Sequence, residues 1–534
     1  MVISVLREHI ADQNVSFVFP SQIASDLWAR KTCTLGIVRS VAKGRFLAWD
    51  RFKEEVVKET TQGEVSSPST SVMRRIFADA LVRKNAKDPF LKSLIPIEYS
   101  GSGAVFAPFI ARLLPSLAYW EKLANNASSA GCLTAVDAED GDYLLVKKEY
   151  QAFLERYGLF EPSWEQVKTL NGSRRYVIFF PELIEDFAEY DALLSGTQFI
   201  RVGAETAANT AGAPLLVFYQ SAREEIRSAV MEIQKYHEVD GVPYEDMAIS
   251  IPETEEMEPY LLLELSLRHV PHVRRAGKKL GESGAGRLFS LVNEAASSRF
   301  SFNSLKALVL SDHIPWSESE KNKALVNFGI KYNCVSGYSQ DGRSVDIWEE
   351  AFKEACGRGQ RAENIELQRY YWKLKEAVFA IAGAESFGGI KKKYFDFWNS
   401  FNKSGLLDME KISPEDDAVL SRCIAELNNL IELEERFNDP ALVPSSPLGF
   451  LISHLDEIVY VRDDKKTGVN IYPWRAAAAS PFRCHFVLNA SQSAASVIYQ
   501  PLKFLRQDKR KHLGLEDKDA TGAFFLLCNS GDND

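Results

Sequence analysis

Between Pro214 and Ala276 the chain alternates in a way that few folds satisfy. "PLLVFYQS" (Pro214–Ser221) is a short apolar run and reads as a strand. "AREEIRSAVMEIQKYHEV" follows, with Ile226, Val230, Ile233 and Tyr236 on one helical face. "MAISIP" is a second strand, "EEMEPYLLLELSLRH" a second helix and "VPHVRRA" a third strand. This alternation predicts a parallel sheet joined by helical crossovers.

The first residues repeat the theme. In "VSFVFPSQIASDLWARK", Phe17 to Phe19 form a buried strand, Ser21 is an N-cap, and Ile23, Leu27 and Lys31 fall at four-residue spacing. Nucleotide-binding folds open this way, but with glycines whose backbone N–H groups close on phosphate. Here the turn is Pro20-Ser21-Gln22. Phe46-Leu47 reads as a strand, with Asp50 capping a helix that carries Phe52 and Val56. Val177 to Phe180 and "TQFIRVG" are further strands. "QGEVSSPSTS" (Gln62–Ser71) is a loop, and "GAETAANTAGAP" (Gly203–Pro214) reads as a linker.

Two long stretches break the alternation with helical patterns, and strands return at "EIVYVRDD", "GVNIYPWR" and "FRCHFVLNAS". The expected class is α/β, with two parallel-sheet domains that each hold a helical insertion. Residues 1–71 and 165–205 make the first domain and 72–164 its insertion. Residues 206–286 and 451–534 make the second, interrupted by 287–450. A length of 534 residues has room for that many units at ~100–200 residues each.

Charge and cysteines narrow the setting. The net charge of −10 rules out a surface that is basic all over, but not a basic channel. Arg7, Glu8 and His9 stand where a signal peptide needs its apolar core, and no run of about 18 apolar residues is present, so no membrane span is expected and the cytoplasm is. The seven cysteines include no C-x-x-C pair and read as reduced thiols.

This order of elements resembles the UvrD-type superfamily 1 helicase core, and within it the AddB and RecC-like subunits of bacterial helicase–nuclease complexes. "FVFPSQIASDLW" is similar to that family's second strand and the helix after it. "GRFLAWDRFKEEV" resembles the next segment, and "YLLVKKEYQAFLERYGLFEPS" the helix before the Walker B strand, whose place "YVIFFPELIEDFAEYDALL" takes. Gln220 to Val273 is the most similar stretch, and "GVNIYPWRAAAASPFRCHFVLNASQ" and "LRQDKRKHLGLEDKDATGAFFLL" resemble later helicase segments. The resemblance implies two RecA-like domains, with a PD-(D/E)XK nuclease domain following in full-length members.

The departures imply a silent motor. No G-x-x-x-x-G-K-[ST] occurs; "EYSGSGAVFAPF" lacks the Lys-Ser/Thr and "RRAGKKLGESGAG" has His272 five residues before Gly277. The Walker B acids become Pro181-Glu182, and "DATGAFFLLCNSGDND" offers no arginine finger. No catalytic residue, cofactor or metal is therefore expected. Glu182, Glu185 and Asp186 gather at a strand end without a nuclease lysine, and Glu224 and Glu225 suit a helix N-terminus. His237, His269, His272, His454 and His485 show no ligand spacing, and no G-x-S-x-G elbow appears.

Basic residues near aromatic ones carry the nucleic-acid signal. They are Arg274, Arg275, Lys278 and Lys279; Lys391, Lys392 and Lys393 before Tyr394, Phe397 and Trp398; and Lys503, Arg506, Lys509, Arg510 and Lys511 around Phe504. Lys and Arg neutralise phosphates and rings stack on bases. The competing reading is a solvated face with core rings behind it. The expected function is a non-hydrolysing, helicase-like subunit in DNA double-strand-end processing and recombinational repair. It would bind single-stranded DNA or duplex ends and work with an ATP-driven helicase–nuclease partner. The alternatives are a protein–protein scaffold without DNA binding and an unrelated nucleotide-sugar enzyme.

Overall fold

Val15–Phe19 (β1) is buried along its whole length, which a five-residue apolar run achieves only with neighbours on both sides. Those neighbours are Phe46–Ala48 (β2) and Arg175–Phe179 (β3), and Phe199–Val202 (β4) completes a parallel sheet of order β2-β1-β3-β4. Ser21 caps the helix Gln22–Thr34 (α1), its side chain accepting from the Ala24 N–H at 3.1 Å. The helix Trp49–Thr60 (α2) starts directly from β2, so Asp50 sits in its first turn rather than capping it.

In this computed structural model the described residues are 2–60, 67–129, 137–164, 174–190, 194, 198–203, 215–252, 254–340, 343–357, 362–402, 413–461 and 466–528. Residues 204–214 of the expected linker lie outside them.

The chain divides into two compact units. The first holds Met1–Arg74, Asn85–Ala276 and Asp463–Asp534; the second holds Arg75–Lys84 and Gly277–Arg462. Both four-stranded sheets belong to the first unit, whereas the sequence assigns them to separate domains.

The second sheet is built as the alternation predicts, with one exception. Ala222–Glu238 (α3) leads to Met247–Ile251 (β5), Thr254–Leu267 (α4) to His272–Arg274 (β6), and Val469–Pro473 (β7) and Cys484–Val487 (β8) follow. All pairings are parallel, in the order β8-β5-β7-β6. Ile226, Val230 and Ile233 of α3 pack on Met247, Ile249, Val469 and Ile471. The exception is "PLLVFYQS": among the described residues Leu215 to Tyr219 join no strand and make no backbone hydrogen bond, and Phe218 is 93% exposed. A periodicity argument identifies a segment fit for a sheet but not whether an edge receives it. The expected strand "EIVYVRDD" also lies elsewhere: Val459–Tyr460 pairs antiparallel with Lys278–Lys279 in the second unit, and the sheet resumes only at Val469.

In the first unit's helical part, Asp142 on Ala138–Tyr157 accepts from the N–H groups of Lys92, Ser93 and Leu94 and so fixes that connection. One helical stretch here, Gly103–Asn126, is long and apolar enough to cross a membrane by length and composition, where the sequence reading finds none; 44% of its most apolar window is buried inside the protein. The second unit is mostly helical. Its core is locked by polar contacts such as Trp348 Nε1 donating to the Phe300 carbonyl (2.7 Å) and Asn322 Nδ2 to that of Val309 (2.9 Å).

Candidate functional site

In an open parallel sheet, ligands bind beyond the C-terminal ends of the strands, where the strand order reverses. Here the chain moves from β1 outward to β2 and then returns to β3, so that point lies between β1 and β3. The Pro20–Ser21 turn leaves β1 there. Phe180 leaves β3 with φ +55°, followed by the single turn Pro181–Leu183. Glu182 lies against Gly203, where a Cβ would come within 2.5 Å of its carboxylate.

The crevice is filled by the protein itself. Trp28 of α1 donates from Nε1 to the Ala479 carbonyl at 2.7 Å, and the Ala479 N–H donates to the Leu527 carbonyl at 3.2 Å. The Tyr499 hydroxyl donates to the Leu183 carbonyl at 2.6 Å. Ala478, Ala479, Tyr499 and, on the helix Thr521–Cys528 (α5), Phe524 and Leu527 share one core with Phe19, Phe180 and Val202. Burial pushes the Tyr499 hydroxyl up to about 12, Arg475 opposing, so it remains a donor at neutral pH. The Cys528 thiol is likewise raised to about 12 by burial and stays protonated.

Residues 2–204 match the family described as the Treponema TP0900 N-terminal P-loop domain, and residues 281–461 match the Treponema TP0900 fourth helical domain. The chain is similar to an uncharacterized protein of Treponema pallidum (strain Nichols), at 33% identity over 547 residues, covering 95% of this chain and 68% of the relative. The chain belongs to the TP0900 family. Its P-loop-type domain carries a turn of Pro20-Ser21-Gln22 beside the strand-order reversal, and the TP0900 fourth helical domain coincides closely with the bulk of the second unit.

In this TP0900-family chain the basic candidates differ in how they are partnered. Arg274 forms a two-pronged pair with Glu258, Nη2 to Oε2 at 2.7 Å, and Glu258 is only 6% exposed. Arg275 instead donates from Nε to the Asn470 side chain at 3.1 Å. Lys278 is exposed on its short ribbon, and Lys279 pairs with Glu282 at 2.9 Å. The glycine before them serves packing: a Cβ at Gly277 would run into Val459 and the Tyr460 carbonyl.

Lys391 to Lys393 lie on the helix Phe387–Phe401, with Lys392 and Lys393 exposed, but Tyr394, Phe397 and Trp398 point into the core and offer no stacking face. In the last cluster Lys503 and Lys511 are exposed, whereas Arg506, Lys509 and Arg510 are engaged within the fold. Lys509 Nζ sits 2.8 Å from Asp137 and Asp140, Arg506 reaches Asp137 at 3.2 Å, and Arg510 is buried against Asp517. Phe504 packs edge-on to Tyr143, ring centres 5.2 Å apart.

Asp186 has a partner set that sequence reasoning missed. It accepts from Trp49 Nε1 at 2.6 Å and Lys53 Nζ at 2.5 Å. Burial disfavours the Lys53 ammonium, but Asp186, Tyr190 and Asp50 outweigh it and hold its pKa above the ordinary lysine value. Among the described residues no three His, Cys, Asp or Glu side chains are grouped to hold a metal ion.

Proposed function

We propose that this protein is a non-hydrolysing, helicase-like subunit for processing DNA ends, built on two RecA-like sheets of the AddB/RecC kind. One observation carries the reading: the crevice where a P-loop-type sheet takes its nucleotide is filled by Trp28, Ala479, Tyr499 and Leu527 of the same chain. Two parallel sheets in one compact unit, with helical stretches inserted in the chain between strands, support the helicase-like comparison. Pro181 and Glu182 sit on a turn at the end of β3, where Walker B acids would be needed, and proline has no side-chain oxygen for Mg²⁺. The protein would hold DNA while a separate ATP-driven partner moves it. The test is a titration of tailed duplex DNA at several salt concentrations. The reading expects binding that weakens steeply with salt, and no binding at micromolar protein removes it.

The scaffold reading draws on a different feature. Tyr260, Leu263 and Leu267 lie exposed on the outer side of α4, while Met257, Leu261 and Leu265 are buried on its inner side. An outward apolar stripe of this kind suits a protein partner. Capture of a partner with no DNA affinity in the isolated chain would favour it.

A further inference from the structure

Helix α1 packs on the face of the second sheet. Its Ile23 and Leu27 meet the cluster of Ala248, Tyr472, Ala477 and Phe482. Arg30 stands three residues beyond Leu27 and seven beyond Ile23, so it shares that face. From the sheet side, Ile471 pairs with Arg274 across β7 and β6, which puts Arg275 one step further at the C-terminal end, beside Tyr472. Its N–H donates to the Ile471 carbonyl at 2.7 Å, and its Nε to Asn470 at 3.1 Å. Asn470 and Tyr472 are two apart on β7 and therefore share a sheet face. Both guanidinium groups act on the Tyr472 hydroxyl: burial raises its pKa, and Arg275 and Arg30 oppose the rise.

Neither arginine has a carboxylate partner among the described residues, whereas the adjacent Arg274 has Glu258. Two unneutralised guanidinium groups converging at strand C-termini form a place for an oxyanion, and the planar fork of arginine matches phosphate oxygens.

Resting on the DNA-binding reading above, we infer that Arg30 and Arg275 form a phosphate clamp for the backbone of single-stranded nucleic acid, at the junction of α1 with the C-terminal ends of β6 and β7. Arg275 is held in place by Asn470, and Arg30 closes from the helix. Arg274 plays no part, because its charge is already spent on Glu258.

The experiment measures binding of a fluorescent oligo-dT to the full chain by anisotropy across salt concentrations. Wild type is compared with the Arg30→Ala/Arg275→Ala double variant, and with Lys235→Ala/Lys331→Ala, which removes two exposed charges elsewhere. The clamp predicts about a tenfold or greater loss of affinity in the arginine double variant. It also predicts a salt slope shallower by roughly 1 to 1.5, since each single-strand phosphate contact contributes ~0.7. The lysine variant keeps the wild-type slope. Pyrophosphate in the competition arm separates a backbone site, displaced only at high concentration, from a free-phosphate site, displaced stoichiometrically. Wild-type DNA binding with an unchanged slope in Arg30→Ala/Arg275→Ala overturns the clamp and leaves the DNA-binding reading standing. Stoichiometric displacement by pyrophosphate also overturns it. No binding by wild type defeats both.

Discussion

Trp28→Phe tests how firmly the crevice is closed. Trp28 is 1% exposed, stacks on Phe19 with ring centres 6.5 Å apart and donates to the Ala479 carbonyl at 2.7 Å. Phenylalanine keeps much of the apolar contact but removes the donor. Leaving a buried carbonyl unsatisfied costs ~1–3 kcal/mol. The smaller ring leaves roughly 40 Å³ unfilled, which adds about 1 kcal/mol. The expected loss is therefore ~2–4 kcal/mol, concentrated where Ala479 meets α1 and α5. Because the chain has two units, a single melting temperature blurs the effect, and local opening read by amide hydrogen exchange resolves it. The Ala479 amide, which donates to Leu527, should exchange about 30-fold or more faster in Trp28→Phe, while amides of the second unit stay unchanged. Exchange at Ala479 within a factor of two of wild type would refute the claim that this contact holds the C-terminal segment in the crevice.

Other outcomes follow from the same geometry. Gly468→Ala places a Cβ within 2.5 Å of the Pro271 carbonyl group and should destabilise the second sheet by ~1–3 kcal/mol, measured by urea unfolding. Phe218→Asp alters a 93% exposed side chain and should change the same midpoint by under about 0.5 kcal/mol. Arg274→Ala strands the buried Glu258 and should cost ~1–3 kcal/mol without changing the salt slope of DNA binding. Burial holds His485 down at about 4, with Ser250 Oγ 2.8 Å from its Nε2. The unfolded chain takes up that proton near 6.5 and the folded one only near 4. Stability should therefore fall as pH drops from about 7 to about 4, and His485→Gln should flatten that part of the urea-midpoint profile.

Much of the fold is legible in local pattern. Phe17 to Phe19, the Ser21 cap and the α3 face at Ile226, Val230 and Ile233 follow from spacing alone. Leu215 to Tyr219 mislead because an apolar run reports fitness for a sheet, not the presence of a free edge. The aromatic residues after Lys393 mislead for a related reason: Tyr394, Phe397 and Trp398 repeat at helical spacing because they fill a core. The site is less legible. Trp28 and Ala479 are 451 residues apart, and nothing near either signals the contact. The partners of Lys509 and Arg506 are also remote, so two basic residues that look free in sequence are paired with Asp137 and Asp140. In sequence Arg30 reads only as part of the helix after β1; its place near Tyr472 depends on packing between elements far apart in the chain.

The central claim of the proposed function is that a sheet whose crevice is occupied by the chain's own residues turns over no nucleotide. The direct measurement is Mg²⁺-ATP binding and hydrolysis by the purified chain, with and without single-stranded DNA. The account predicts no saturable ATP binding at millimolar nucleotide and no DNA-stimulated phosphate release. Stoichiometric ATP binding with strand-stimulated hydrolysis, lost on removal of Glu182, would contradict it.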